Sequence, residues 1–338
     1  MGIQYLNRYL MDHCSKTSIR KIKFAELSGK IIVVDASIYI YKYVGEDALI
    51  ENMYLLVSIL LYYKIIPIFI FDGKPPEEKR ELIYQRKLRK QQAEKEYNDV
   101  KNNAKDGKFD KEVIEKMEIL KRQFIRINSY HISITKQLLC CYGIQYYEAD
   151  GEADELCARL LENQTAWACL SDDMDMFVYG CNRILRQVSL LNHTCTLYDM
   201  SSILHDLQMD IHAFRKITVL SGTDYNTVEK IHLSKAFKLY NEYINFHKTT
   251  LPFLENTSEL QRDSLVSVPP KSETASHESF YMWLHKNKYI RDLDALQKAY
   301  DMFILTYTES DNIGYVSGLN KCNKDDLYKI LQLEGFLT

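Results

Sequence analysis

The 338-residue chain has no CxxC pair among its eight cysteines and no surplus of positive charge, with 43 Lys/Arg against 46 Asp/Glu. Nor does it hold an apolar run near the ~18 residues that a membrane span requires. The first absence leaves Cys14, Cys140, Cys141, Cys157, Cys169, Cys181, Cys195 and Cys322 as reduced thiols of an intracellular protein rather than a zinc site. The N-terminus "MGIQYL" lacks a signal-peptide core, and Leu6 stands where a myristoylation signal needs Ser or Thr, so no membrane association is expected. A net charge of −3, taken alone, argues against a nucleic-acid binder. Internal repeats are absent.

The charge is unevenly spread. Residues 74–126 carry 16 Lys/Arg against 11 Asp/Glu, and the remainder carries 27 against 35. A basic strip on an otherwise acidic chain is a candidate footprint for a polyanion. An ordinary solvated helix face reads the same way.

Three short apolar runs, "KIIVVDAS" (30–37), "KIIPIFIFDGK" (64–74) and "TAWACLSDD" (165–173), are rich in β-branched and aromatic residues and run into aspartate. Their lack of alternation predicts buried strands of a parallel sheet. Helices are predicted over 47–63, 129–143 and 152–163, with a further strand at 144–149, an α/β order with a mostly parallel central sheet flanked by helices. Residues 75–127 are highly charged with few apolar positions, apart from the stripe Val113, Met117, Leu120, Phe124 and Ile127. They are expected to form an exposed helical excursion. The polar, Ser/Pro-rich stretch at about 250–280 predicts a loop or linker, and the last 60 residues regain helical character.

Ligand sites of open α/β sheets lie beyond the carboxyl ends of the strands. Asp35, Asp72 and Asp173 fall there, joined by Glu152, Asp154 and Asp175, with Asp224 of "SGTDYN" a further candidate. Carboxylates without His or Cys favour hard cations, Mg²⁺ with Mn²⁺ as a substitute. Two such ions ~3.5–4 Å apart can activate a water and stabilise the leaving oxygen of a phosphodiester. Each acid singly also fits a helix cap or a solvated turn.

In order and spacing, "MGIQYL", "VVDASIYIYKY" (33–43), "FIFDGKPPEEK" (69–79), "EADGEADELCARL" (148–160), "SDDMDMFVYG" (171–180) and "SGTDYN" (221–226) resemble the successive motifs of the flap endonuclease/XPG family of structure-specific nucleases. The resemblance covers residues 1 to about 240. It implies a PIN/flap-endonuclease-like fold and a two-metal nuclease that cuts branched DNA near a 5′ single-strand junction, with 5′–3′ exonuclease activity as a companion, in replication, repair or recombination. Matched motif by motif, it assigns Asp35, Asp72, Glu152 and Asp154 to one metal and Asp173, Asp175 and Asp224 to the other. Lys79 and Arg86 become the catalytic basic pair at the base of a helical arch. Tyr41 becomes an aromatic near the reacting nucleotide, and Gly2 a DNA-contacting N-terminal residue. On this reading the chain divides into an N-terminal nuclease region (1–74), the arch (75–127), an internal nuclease region with a degenerate helix-hairpin-helix (128–240) and a C-terminal helical region (241–338).

Three departures qualify the resemblance. Asp154 stands where the family usually has Glu. The glycine-rich turn that binds duplex phosphates through backbone amides and a monovalent cation is replaced by "KIHLSKA" (230–236), leaving Lys230 and Lys235 as expected DNA contacts. The tail lacks the double-aromatic peptide that binds sliding clamps. A compact monomer of the kind large DNA viruses encode is expected, working in the nucleus (a host nucleus if viral) or at a cytoplasmic replication site. Two other readings compete: a catalytically weak branched-DNA-binding protein of the same fold, and a nucleotide-sugar glycosyltransferase using "DDMD" as its DxD.

Overall fold

The computed structural model describes residues 3–102, 110–254, 279–306 and 322–335. Packing divides the chain into two units, one of Cys14–Leu207 with Leu305–Thr338, the other of Met1–His13 with Gln208–Ile304. The units interleave along the chain, whereas the sequence-based division at 74, 127 and 240 follows chain order. Gly2 lies outside the described residues. So do residues 255–278 of the expected linker, while 250–254 continue a helix.

The first unit is built on one sheet. Its strands are β1 (Ile19–Lys23), β2 (Ile31–Asp35), β3 (Ile66–Phe71), β4 (Gln145–Glu148), β5 (Ala168–Leu170), β6 (Arg183–Ser189) and β7 (Thr194–Asp199). They lie in the order β1-β7-β6-β5-β2-β3-β4. From β6 to β4 every pairing is parallel; β7 and β1 add an antiparallel edge. The central strands are apolar on both faces because helices cover both. Ile32, Val33, Val34, Ile68, Phe69 and Ile70 are fully buried, each contributing about 1.5–3 kcal/mol.

Helices α2 (Ala36–Gly45), α3 (Leu49–Tyr62), α6 (Ser129–Tyr142), α7 (Ala153–Glu162), α8 (Asp175–Tyr179) and α9 (Met200–Asp206) surround the sheet. Gly143 ends α6 in the left-handed conformation (φ 70°) that favours glycine. Helix α4 (Arg80–Asn102) and α5 (Lys111–Gln123) form the charged excursion, packed on each other, and of their described residues only Ala93 and Leu120 are buried. The final helix, α14 (Lys324–Leu333), lies against α6. Its Ile330 and Leu331 join Ile50, Ile134 and Cys141 in a small apolar cluster.

The second unit holds α1 (Leu6–His13), α10 (Ile211–Leu220), α11 (Leu233–Leu254), α12 (Phe280–Lys286) and α13 (Leu293–Asp301). Tyr9 of α1 stacks on Phe237 of α11 with centroids 4.0 Å apart. Among the described residues no helix is long and apolar enough to cross a membrane.

Candidate active site

The turns after β3 and β4 explain why "DGK" and "DGE" sit side by side. Gly73 N donates to Gly151 O (2.8 Å) and Lys74 N to Asp150 O (3.3 Å). A Cβ on Gly73 would lie 1.8 Å from Ala149 O, so no other residue fits this approach. The stitch presents Asp72, whose Oδ1 accepts the Ala153 N–H at 2.9 Å. One strand-end acid thereby caps the helix of its neighbour, at the end where a helix favours negative charge. Asp35 does the same within its own crossover, accepting Ile38 N–H at the start of α2 (3.3 Å).

The loop after β5 completes the group. Ser171, fully buried, donates to Asp35 Oδ2 (3.0 Å) and accepts Asp173 N–H on the same oxygen (3.1 Å). Asp173 Oδ1 accepts Asp175 N–H (3.0 Å) as α8 begins. Hydrogen bonds thus link Asp35, Asp173 and Asp175 through Ser171, while Asp72 and Asp154 lie near enough to repel this group. Burial, then repulsion from Asp72, pushes the Asp35 carboxyl up to about 7, against the pull of its bonds from Ser171 and Ile38. Burial, then Asp35, Asp173, Asp175 and Asp72, push Asp154 well above the usual carboxylate range.

Glu152 is engaged differently. Lys79, in a 3₁₀ turn at the foot of α4 and only 5% exposed, lies 2.6 Å from its carboxylate. Sequence reasoning placed Lys79 and Glu152 in separate roles and missed this pair, since 73 residues of chain hide it. Arg86 lies on the half-buried stripe of α4 with Leu82 and Lys90. Lys90 donates to Ile125 O (2.9 Å), and its ammonium sits 4.9 Å from the centroid of the Tyr41 ring.

Among the described residues, no three or more His, Cys, Asp or Glu side chains are grouped so that they could hold a metal ion as they stand. The donor chemistry nevertheless fits a hard divalent cation. The acids supply oxygen only, and the repulsion that lifts Asp35 and Asp154 is of the kind a cation relieves.

Asp224 belongs to the second unit, in the turn that follows α10. That turn holds itself without the family's glycines. Asn226 is buried; its side-chain amide donates to Val219 O (2.8 Å) and Glu229 O (2.9 Å), and its Oδ1 accepts Glu229 N–H (3.1 Å). Ile231 N donates to Leu220 O (3.0 Å). No residue from 223 to 236 has a positive φ. The stem of Lys230 covers Gly222, and the Lys235 ammonium lies 5.9 Å from the Tyr289 ring centroid; both lysines are exposed.

A mostly parallel α/β sheet with acids gathered beyond its strand ends, carrying an exposed, charged helix pair in the same unit, agrees with a phosphodiester-cleaving nuclease. The XPG N-terminal domain matches residues 1–93 and the XPG I-region residues 143–224. The chain belongs to the flap endonuclease/XPG family and is a structure-specific DNA nuclease. It is 29% identical over 279 residues to flap endonuclease 1-A of Sorghum bicolor, covering 77% of this chain and 70% of that protein. For rice flap endonuclease 1-B the share of the relative falls to 62%. Its fold matches the catalytic core of Rad2 in complex with DNA substrate, with a TM-score of 0.66 at 22% identity, over 98% of this chain and 95% of that one.

Proposed function

We propose that this nuclease is a divalent-metal-dependent endonuclease that cuts 5′-flapped or otherwise branched DNA. The observation that supports this reading best is the convergence of five carboxylates beside the buried Lys79–Glu152 pair at the foot of a basic helix. Asp35, Asp72, Glu152 and Asp154 would hold one Mg²⁺, and Asp173 and Asp175 a second, with Mn²⁺ able to substitute. Bound there, the ions would supply an activated water and charge neutralisation at the leaving oxygen.

The chain's own residues do the rest. Hydrogen bonds from Ser171, Ile38 and Ala153 hold Asp35 and Asp72 in place before DNA arrives. Lys79 and Arg86 meet the reacting phosphate, where positive charge counts most as negative charge builds on its oxygens. One P–O bond forms to water and the P–O bond to the leaving sugar oxygen breaks; the water's proton passes to solvent, and the leaving oxygen takes a proton to become a hydroxyl. The basic arch binds the single strand largely through its phosphates, so affinity falls with salt. We assign the protein a monomeric state and a nuclear place of work, on replicating or damaged DNA.

A gel assay on 5′-flap, nicked and gapped duplexes, each with and without Mg²⁺, tests the proposal. Cleavage of the flap that needs the cation supports it. Tight flap binding without cleavage would instead mark a branched-DNA-binding protein of the same fold.

A further inference from the structure

Asp172, the first acid of "DDMD", has no part in the proposed chemistry. Its surroundings show what it does. Strand β6 breaks register with β7 between Arg186 and Ser189. Within that irregularity Gln187 adopts φ 54°, a left-handed backbone that non-glycine residues rarely take. The distortion aims the Gln187 N–H at Asp172, whose Oδ1 accepts it at 2.8 Å, while Gln187 Oε1 accepts the Thr196 hydroxyl at 3.0 Å. Arg186, buried, donates from Nη2 to the Asp172 carbonyl at 2.7 Å. Its guanidinium carbon lies 5.8 Å from the Phe177 ring centroid and 5.7 Å from that of Tyr198.

One guanidinium therefore touches both ends of the acidic loop: the backbone at Asp172, and α8 two residues past Asp175. From Asp172 the loop continues through Ser171, bonded to Asp35 and Asp173, and through Asp173, bonded to Asp175. We propose that Asp172 and Arg186 are positioning residues, which with the bulge at Gln187 fix Asp173 and Asp175 in the geometry that binds the second cation. The role is geometric: Asp172 serves as a hydrogen-bond acceptor, and its charge is incidental. This inference rests on the metal-dependent reading above.

The test separates acceptor from charge. Asp172→Asn keeps an Oδ1 that accepts from Gln187 N–H and loses the charge; Asp172→Ala loses both. Arg186→Met keeps the apolar stem and loses the donor. Mn²⁺ affinity is read by EPR titration of the free protein. The Mg²⁺ concentration for half-maximal single-turnover cleavage of a 5′ flap is measured alongside, with Asp173→Ala as the reference.

Losing a residue that orients a metal ligand costs about 10–100-fold in metal affinity. Asp172→Ala and Arg186→Met should thus weaken Mn²⁺ binding and raise the Mg²⁺ requirement by at least about tenfold, while Asp172→Asn stays within about threefold of wild type. Asp172→Asn as damaging as Asp172→Ala would overturn the proposal, because charge would then be the operative property. So would Asp172→Ala matching wild type while Asp173→Ala loses Mn²⁺. If Asp173→Ala itself binds Mn²⁺ and cleaves normally, the metal-site reading falls, and this inference with it. Asp172 is partly exposed, so the Asp172 pair decides the matter even if Arg186→Met fails to fold.

Discussion

The strand-end site and the two-helix arch share one unit and are built on opposite plans. At the site, short acids are held by backbone N–H groups: Ile38 on Asp35, Ala153 on Asp72, Asp175 on Asp173. In the arch, long side chains are held by exposed partners, such as Lys121 with Asp47 and Arg126 with Glu94. Exposed pairs of this kind contribute about 0–1 kcal/mol. Rigid placement suits groups that must be ready before substrate arrives. Weakly held lysines and arginines suit a surface that trades protein partners for phosphates at little cost.

The largest effect that would break this contrast lies at the site. Asp173→Ala should lower Mg²⁺-dependent cleavage by at least ~10³-fold, the scale of several kcal/mol of lost transition-state stabilisation. Flap DNA should still bind in Ca²⁺, since the arch is untouched. Undiminished cleavage, measured in single turnovers, would remove Asp173 from the site.

Lys79 stands where the two plans meet, and Arg86 lies farther along α4. Both belong to the arch by sequence, yet Lys79 is buried against Glu152. A charge that acts mainly on the transition state lowers rate more than binding. Lys79→Ala and Arg86→Ala should each reduce single-turnover cleavage by about 10²-fold with little change in Kd. Equal losses in both quantities would place them with the ordinary phosphate contacts of the arch.

What could be read ahead of the structure follows the same line. Continuous apolar runs ending in aspartate mark parallel strands and the acids beyond them, because burial and topology leave a local trace; β2, β3 and β5 fall within the runs so marked. Edge strand β1, "IRKIK", has only Ile19 and Ile22 buried and left no comparable signal. The Lys79–Glu152 pair and the Arg186–Asp172 clamp join residues far apart or separated by a strand distortion, and no motif spacing encodes them. Nor did anything in "MGIQYLNRYLMDH" announce that α1 packs with the 208–304 segment, a matter of long-range aromatic contact.

Stability should separate the two plans as well. At Gly73 an added methyl meets backbone rather than a movable side chain. Gly73→Ala should cost at least about 2 kcal/mol in urea unfolding, the scale of enforced overpacking. Removing the exposed arch pair with Lys121→Ala should cost under about 1 kcal/mol. Similar losses from both would mean that the turn yields more readily than its backbone contacts suggest.

The smallest expected effect concerns the turn after α10, which resembles the site in being held by internal bonds. Family resemblance implies a monovalent cation here, cupped by a glycine-rich backbone. The residues present do not fit it. The Asn226 amide already occupies the carbonyls of Val219 and Glu229, and no residue from 223 to 236 offers left-handed backbone. On the proposed reading, duplex grip would then fall to exposed side chains, Lys230 and Lys235. Replacing K⁺ by a bulky organic cation at constant ionic strength should leave affinity for the downstream duplex nearly unchanged. Lys230→Ala combined with Lys235→Ala should weaken binding and flatten the slope of log K against log salt by up to about two units. A clear K⁺ requirement in the same titration would show that the turn opens its carbonyls to a cation when DNA is bound, and that Asn226 is a gate rather than a lock.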